Sequence, residues 1–259
     1  MPLIFLNHLK THMKKPTLSC TVSRYFLFFA ILLALFANSS CSSSKGWVYG
    51  SGNVRLDRSA EPNEKILGTK TIKVLPFSDR RDPSNNNSIL LYLIPFMPFG
   101  MQDLNSPESV PMHINSGLWV NYNPKEDFAK AIVDDLRSLD LFDDVAFSYS
   151  KKGSDYFIEG DIISTKYSGK MITYGLSVYG PALWIAGLPA SYVENDLQVK
   201  LRFIRTKNKK VIFEKTYSAN KYKKLGWIYN LPNDFNYADM LKEVNEQFLN
   251  DMLKSLKKD

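Results

Sequence analysis

Three spacings of hydrophobic residues alternate along the chain. Tyr25 to Ala37 is an unbroken apolar run, YFLFFAILLALFA. As a helix it would be about 20 Å long, short of the roughly 30 Å hydrocarbon core of a bilayer. It therefore reads as the apolar centre of an export signal and not as a permanent span. Helical spacing follows twice. Asn123-Pro124-Lys125-Glu126 is a helix start, with Asn as cap, Pro in the first turn and Glu three residues after the cap. Phe128, Ala129, Ile132, Leu136 and Leu139 then keep one face, which predicts a helix of about four turns. Tyr237, Met240, Leu241, Val244, Phe248, Met252 and Leu256 form a second stripe, predicting a helix over 236–257. Period-two spacing marks the strands. Leu197, Val199, Leu201 and Phe203 alternate with Gln198, Lys200 and Arg202, and Val211, Phe213 and Tyr217 continue beyond the polar turn Lys207-Asn208-Lys209. That is a β-hairpin with one buried face. Thr71–Phe77, Tyr156–Tyr167 and Ile172–Val178 supply further predicted strands.

Taken in order, these elements are a strand, a long loop, a helix, four strands and a helix. Hairpins bury an apolar face only against another layer, so the expected class is α+β: an antiparallel sheet covered on one face by two amphipathic helices. The expected division is a signal peptide over 1–40, a lipidated N-terminus and flexible tether over 41–68, and a single α+β domain over 69–259.

The segment after the apolar run refines the signal. Residues 1–24 carry Lys10, Lys14, Lys15 and Arg24 and no acid, and Met13-Lys14-Lys15 makes a better start than Met1. Asn38-Ser39-Ser40-Cys41 and the serine-rich stretch behind it resemble the lipobox of bacterial lipoproteins in its looser, spirochete-like form, with Asn38 where other members carry an aliphatic residue. The resemblance implies that the Cys41 thiol receives a diacylglycerol group and becomes the mature N-terminus, anchoring the protein to a membrane. Ser42, in place of the Asp that marks inner-membrane retention, points by the same resemblance to the outer membrane. Ordinary cleavage after Ala37-Asn38-Ser39, leaving a soluble periplasmic protein with an incidental Cys41, is the alternative. The opening Ile72-Lys73-Val74-Leu75-Pro76-Phe77-Ser78-Asp79, followed by a helix and a meander, is similar in architecture to TolB N-terminal-like and CsgG-like periplasmic modules, and that likeness transfers no functional residue.

Processing changes the composition. The whole chain of 259 residues has a formal charge of +7 and two cysteines. Removal of residues 1–40 takes four cations, Cys20, His8 and His12, leaving a charge of +3, Cys41 and one histidine, His113. An intrachain disulfide and a Cys/His zinc site are thereby excluded from the mature chain. A triad is disfavoured, since His113 would have to serve as base and no nucleophile motif stands near it; it reads as a packing or surface histidine. No cofactor-binding fingerprint occurs.

The remaining charge is uneven. Between Lys200 and Lys224 ten basic residues face one acid, Glu214. Lys207, Lys209, Lys210, Lys221, Lys223 and Lys224 are candidate contacts for anionic lipid headgroups or an acidic envelope partner. Cationic side chains along an exposed strand also deter edge-to-edge pairing, which is the plainer reading of the same residues. Nucleic acid is a poor partner for an exported protein. Asp134, Asp135, Asp140, Asp143 and Asp144 lack calcium-loop spacing and are expected at a solvated helix end. Asp79-Arg80-Arg81-Asp82 is expected to pair its own charges in a surface loop. Glu159 and Asp161 share a strand face about 7 Å apart, a separation glycosidases use, but from one strand instead of two sides of a cleft. Two stretches lack charge altogether, Pro83–Gln102 and Met171–Val193. They are either core or an exposed interaction surface, and their prolines and glycines argue against a membrane span. The expected function is that of a non-enzymatic, membrane-anchored envelope component; a subunit of an oligomeric export or transport assembly is the alternative, and an envelope glycan hydrolase a remoter one.

Overall fold

The structure, a computed structural model, describes residues 47–50, 54–56, 68–118 and 122–257. Cys41, and with it the export signal and lipidation expectation, lies outside the described residues. Ser43–Asp259 forms one compact unit.

The fold is α+β. The first sheet runs in the order β12 (Lys210–Ser218), β11 (Gln198–Arg205), β8 (Tyr156–Ser164), β1 (Thr71–Val74), β7 (Asp144–Phe147), with short β2 (Ser78–Asp79) also pairing with β8. On one face lie α1 (Pro124–Ser138), against β1 and β7, and α3 (Tyr237–Leu256), against β11 and β12. Between them is the main core, in which Phe128, Ile132 and Leu136 of α1 and Leu241, Val244, Phe248 and Met252 of α3 meet Ile72, Val74, Ile158, Val199, Leu201 and Phe203. Both predicted stripes are thus the buried faces of the helices. The antiparallel sheet expected from the hairpin holds for β8, β11 and β12. At β1 it needs correction, because β1 is parallel to both β7 and β8. The chain leaves β1 and returns to β7 through α1, and a helical crossover brings the chain back in the same direction.

A second sheet, wholly antiparallel, was not predicted: β13 (Tyr222–Gly226), β10 (Ser191–Asn195), β9 (Tyr167–Ile172), β4 (Phe99–Leu104), β3 (Asn85–Ser88). Two of its strands, β3 and β4, lie in the region expected to be a long loop. Asn85-Asn86-Asn87-Ser88 has no apolar alternation and is exposed or half-buried, so its pairing leaves no hydrophobic trace. The strand expected over Ile172–Val178 is also corrected. It ends at Ile172, and Tyr174 and Gly175 follow with φ of 58° and 80°, which turns the chain out of the sheet.

Two further expectations change at the helices. Asn123 precedes α1, but its side chain makes no cap and Glu126 does not reach back; the Asp127 carboxylate accepts the Asn123 N–H at 2.7 Å, and Glu126 pairs with Lys130. Asp135, expected in solvent, is fully buried, accepting hydrogen bonds from Tyr49 Oη, Lys242 Nζ and, at 3.0 Å, Asn245 Nδ2. The described part of the expected tether is therefore docked: Trp47 stacks on Tyr49 and on Tyr122, with ring centroids 6.2 and 5.4 Å apart.

Candidate interaction surface

The two sheets are one bent ribbon. β8 leads into β9 through Thr165-Lys166, β11 follows β10 after Asp196-Leu197, and β12 leads to β13 through 219–221. Register carries across each break: Ser164 pairs with Gln198 on one side and Tyr167 with Asn195 on the other. The bend is held by buried polar groups. Asp234 accepts hydrogen bonds from Tyr167 Oη at 2.7 Å, Asn115 N at 2.7 Å and Ser116 N, and its carbonyl accepts one from Asn195 Nδ2 at 2.8 Å. Tyr237 Oη donates to Thr165 O at 2.8 Å. His113 is buried at this bend, its ring edge-on to Phe235 and Tyr167, so its role is packing. Burial holds its pKa below the ordinary histidine value despite the nearby Asp234. The second sheet thus projects away from the helices, and its far end carries the two uncharged stretches.

At that end the chain forms three short excursions. Ile89–Leu93 is a 3-10 turn folded back onto β4, and Gly100 makes this possible: a Cβ there would lie 1.8 Å from Ile89 O. Ser177–Tyr179 is a second 3-10 turn, running into the one-and-a-half-turn helix α2 (Gly180–Ile185). Residues 227–231 form the third. They are stitched together by Phe96 N to Gly175 O at 2.9 Å, Ser177 Oγ to Leu93 O at 2.6 Å, and Trp227 Nε1 to Gly187 O at 3.1 Å. The uncharged stretches are therefore neighbours, and their outer side chains face solvent. Phe96 is 91% exposed, Tyr179 76%, Ile185 66% and Leu90 66%, joined by Leu93, Ile94, Leu176, Val178, Leu188, Ile228 and Tyr229. Scattered exposed apolar residues are ordinary; a contiguous cluster is not. Phe96, Tyr174 and Ser177 also have φ above 50°, a region that bulky side chains avoid.

Below this tip the open face of the second sheet is graded in cross-strand rows. Phe99 stands opposite Ile172. The next row is Met101, Lys170, Tyr192 and Leu225, and the one after it Asp103, Ser168, Glu194 and Lys223. These rows line a shallow cleft of about 510 Å³. In the lowest row Asp103 accepts a hydrogen bond from Ser168 Oγ, and Glu194 is paired with lysines. Glu194 receives Tyr192 Oη at 2.9 Å and Lys223 Nζ at 3.3 Å, with Lys221 Nζ at 3.9 Å. Burial would raise the Glu194 pKa, but the hydrogen bonds from Tyr192 and Lys223 prevail and hold it below the ordinary value. In the middle row, Lys170 lies over the Phe99 ring at 4.8 Å and makes no ion pair among the described residues.

The six candidate lysines do not form one patch. Lys207, Lys209 and Lys210 sit at the hairpin tip of the first sheet, where Lys209 borders a hollow of about 290 Å³ with Lys151, Phe157, Ile204 and Thr206. Lys221, Lys223 and Lys224 lie at the other end of β12, about 27 Å along the strand, with the first two on Glu194 and Lys224 over the Tyr222 ring. Glu159 and Asp161 are likewise engaged: Glu159 pairs with Lys151, and Asp161 receives Arg202 Nη2 at 3.1 Å. Arg81 does pair with Asp79, at 2.7 Å, but its side chain is buried and also reaches Glu108 and Thr165, so this loop is part of the packing and not free surface. The Arg81 hydrogen bond holds the Asp79 carboxyl below the usual range. Among the described residues, no cluster of three or more His, Cys, Asp and Glu has metal-binding geometry, and no helix is long and apolar enough to cross a membrane. Phe96, Ile185, Lys170 and Tyr192 were not singled out from the sequence. Absence of charge marked the stretches that hold Phe96, Ile185 and Tyr192, with Lys170 at the edge of one.

No protein-family model matches the chain, and no curated protein is significantly similar to it. Among solved structures, the chain is similar to a Xanthomonas campestris protein of family DUF330, at 12% identity and TM-score 0.42 over 83% of this chain and 98% of that one. It is also similar to PelC of Paraburkholderia phytofirmans, crystallised as a dodecamer, at 12% identity and TM-score 0.32 over 81% and 94% of the two chains. A third is lipoprotein GNA1162 of Neisseria meningitidis, at 11% identity and TM-score 0.25 over 71% and 99%. Scores this low transfer neither partner nor activity to this chain.

Proposed function

We propose that this chain is an exported lipoprotein of the bacterial cell envelope, anchored to the outer membrane through Cys41, that works by non-enzymatic binding. The observation that supports the binding role is the apolar tip: an uncharged, solvent-facing cluster built from three stitched excursions, with a bulky residue, Phe96, held outward in an unfavourable backbone conformation. A protein with no use for this surface would gain by making it polar. The paired states of Glu159 and Asp161 favour binding over glycan hydrolysis. Support for the anchor is the lipobox-like Asn38-Ser39-Ser40-Cys41 behind its apolar run. Metabolic labelling with a clickable palmitate analogue tests it. The expected result is a labelled, membrane-fractionating chain that loses both properties as Cys41→Ala; an unlabelled wild type, or label retained by Cys41→Ala, overturns it.

The same tip favours a second reading, in which it supplies subunit contacts of an oligomeric export or transport assembly. That reading requires self-association, and a concentration-independent monomer in detergent counts against it.

A further inference from the structure

We propose that the apolar tip docks into the interfacial layer of a bilayer with anionic headgroups, down to the row of Lys170 and Tyr192. This rests on the reading above that the chain works at a membrane, and it names what the tip meets there.

Three features select a bilayer over a protein partner. The first is depth order. From the tip inward, the open sheet face passes from purely apolar (Phe99, Ile172) through a row joining apolar side chains to one lysine and one tyrosine, to a charged row. Successive rows are about 6.7 Å apart, and peripheral elements sink roughly 5–10 Å into the headgroup and acyl boundary. Tyrosine and a lysine with its stem along apolar surface are the side chains that suit the headgroup level. A protein partner imposes no such grading along one axis. The second is charge. Glu194 is engaged by Lys223 and Lys221, whereas Lys170 has no acid partner among the described residues and is placed to meet an anionic headgroup. The third is the backbone. Peptide N–H groups across the tip are satisfied locally: Ile94 to Leu91 O, Met97 to Ile94 O, Leu176 to Thr173 O, Tyr179 to Leu176 O, Gly187 to Trp184 O and Leu188 to Leu183 O, all within 3.2 Å. Self-satisfied turns can enter an apolar medium without losing hydrogen bonds to water.

The test is flotation of the chain from residue 41 onward, carrying Cys41→Ser so that no acyl group contributes, with vesicles of phosphatidylethanolamine and phosphatidylglycerol. Wild type is expected to float. Phe96→Asp with Ile185→Asp should bind at least about tenfold more weakly with an unchanged melting temperature, since both side chains stand in solvent. Lys170→Glu should remove the preference for phosphatidylglycerol over phosphatidylcholine vesicles, and reversal of Lys207, Lys209 and Lys210 should change nothing. An environment-sensitive dye at Tyr179→Cys should shift to the blue on vesicles, and one at Lys215→Cys should not. Absent flotation, flotation indifferent to Phe96→Asp with Ile185→Asp, or dependence on the hairpin lysines instead each overturns the proposal. So does self-association abolished by the tip changes without vesicle binding, which would make a second copy the occupant. Acylation without flotation sinks this inference and leaves the lipoprotein reading standing; flotation without acylation does the reverse.

Discussion

Phe96 shows how a single residue can be spent on presentation. Its φ of 68° and near-complete exposure give it neither a good backbone well nor burial. A left-handed conformation costs a non-glycine residue roughly 1–2 kcal/mol, while glycine forfeits about 0.5–1 kcal/mol of chain entropy. Phe96→Gly is therefore expected to leave stability unchanged or raise it by up to about 1 kcal/mol in urea titration, while weakening vesicle binding. His113 makes the opposite kind of prediction. Burial depresses its pKa in the folded state, so unfolding favours proton uptake. Its contribution is complete above the unfolded value, near pH 6.5, and is lost as pH falls toward the folded one. Stability should drop by up to about 1.4 kcal/mol per pH unit in that acid window, a slope that His113→Gln should remove in urea midpoints measured across it. Neither behaviour is legible in the sequence, since an isolated Phe or His reads the same in core, turn or surface.

Among the elements, the helices were legible and the second sheet was not. Stripes such as Phe128, Ile132, Leu136 and Val244, Phe248, Met252 coincide with buried faces because helical burial repeats with the helix itself. β3 and β4 escaped because Asn85–Ser88 pairs through its backbone alone and Gly100 is retained for close approach, not strand propensity. Gly100→Ala should accordingly unseat the 89–93 turn and open the tip, read as faster hydrogen exchange in residues 89–98. Asp135 joins α1, α3 and the docked N-terminal segment. Asp135→Leu leaves Lys242 without its partner and should cost roughly 3 kcal/mol, and Asp135→Leu with Lys242→Met should recover part of that loss in denaturant unfolding. Tyr49→Phe should cost about 1 kcal/mol.

At the scale of the molecule, charge and apolarity occupy separate places. The helices and first sheet form a conventional two-layer body. The second sheet carries the uncharged tip at its far end, and the hydrogen bonds of Asp234 tie the junction between the two sheets. Asp234→Ala leaves Tyr167 Oη and two backbone N–H groups of the bend without their acceptor. It should weaken vesicle binding even though Asp234 is remote from the tip, with a lowered melting temperature as the accompanying sign. Of the basic residues of 200–224, Lys207, Lys209 and Lys210 lie at one end of β12 and Lys221, Lys223 and Lys224 beyond the other.

By itself the sequence determined the α+β class, both amphipathic helices and the existence of two uncharged stretches. Each is a local property, carried by composition or by a periodicity that repeats within one element. Only the tertiary structure decided that those stretches meet, that they face solvent, that Lys170 and Tyr192 share a row beneath them, and that Asp135 is buried. Whether an apolar side chain is core or surface, and whether two lysines are neighbours, depends on which distant strands pair and where the ribbon bends, and no local pattern encodes that.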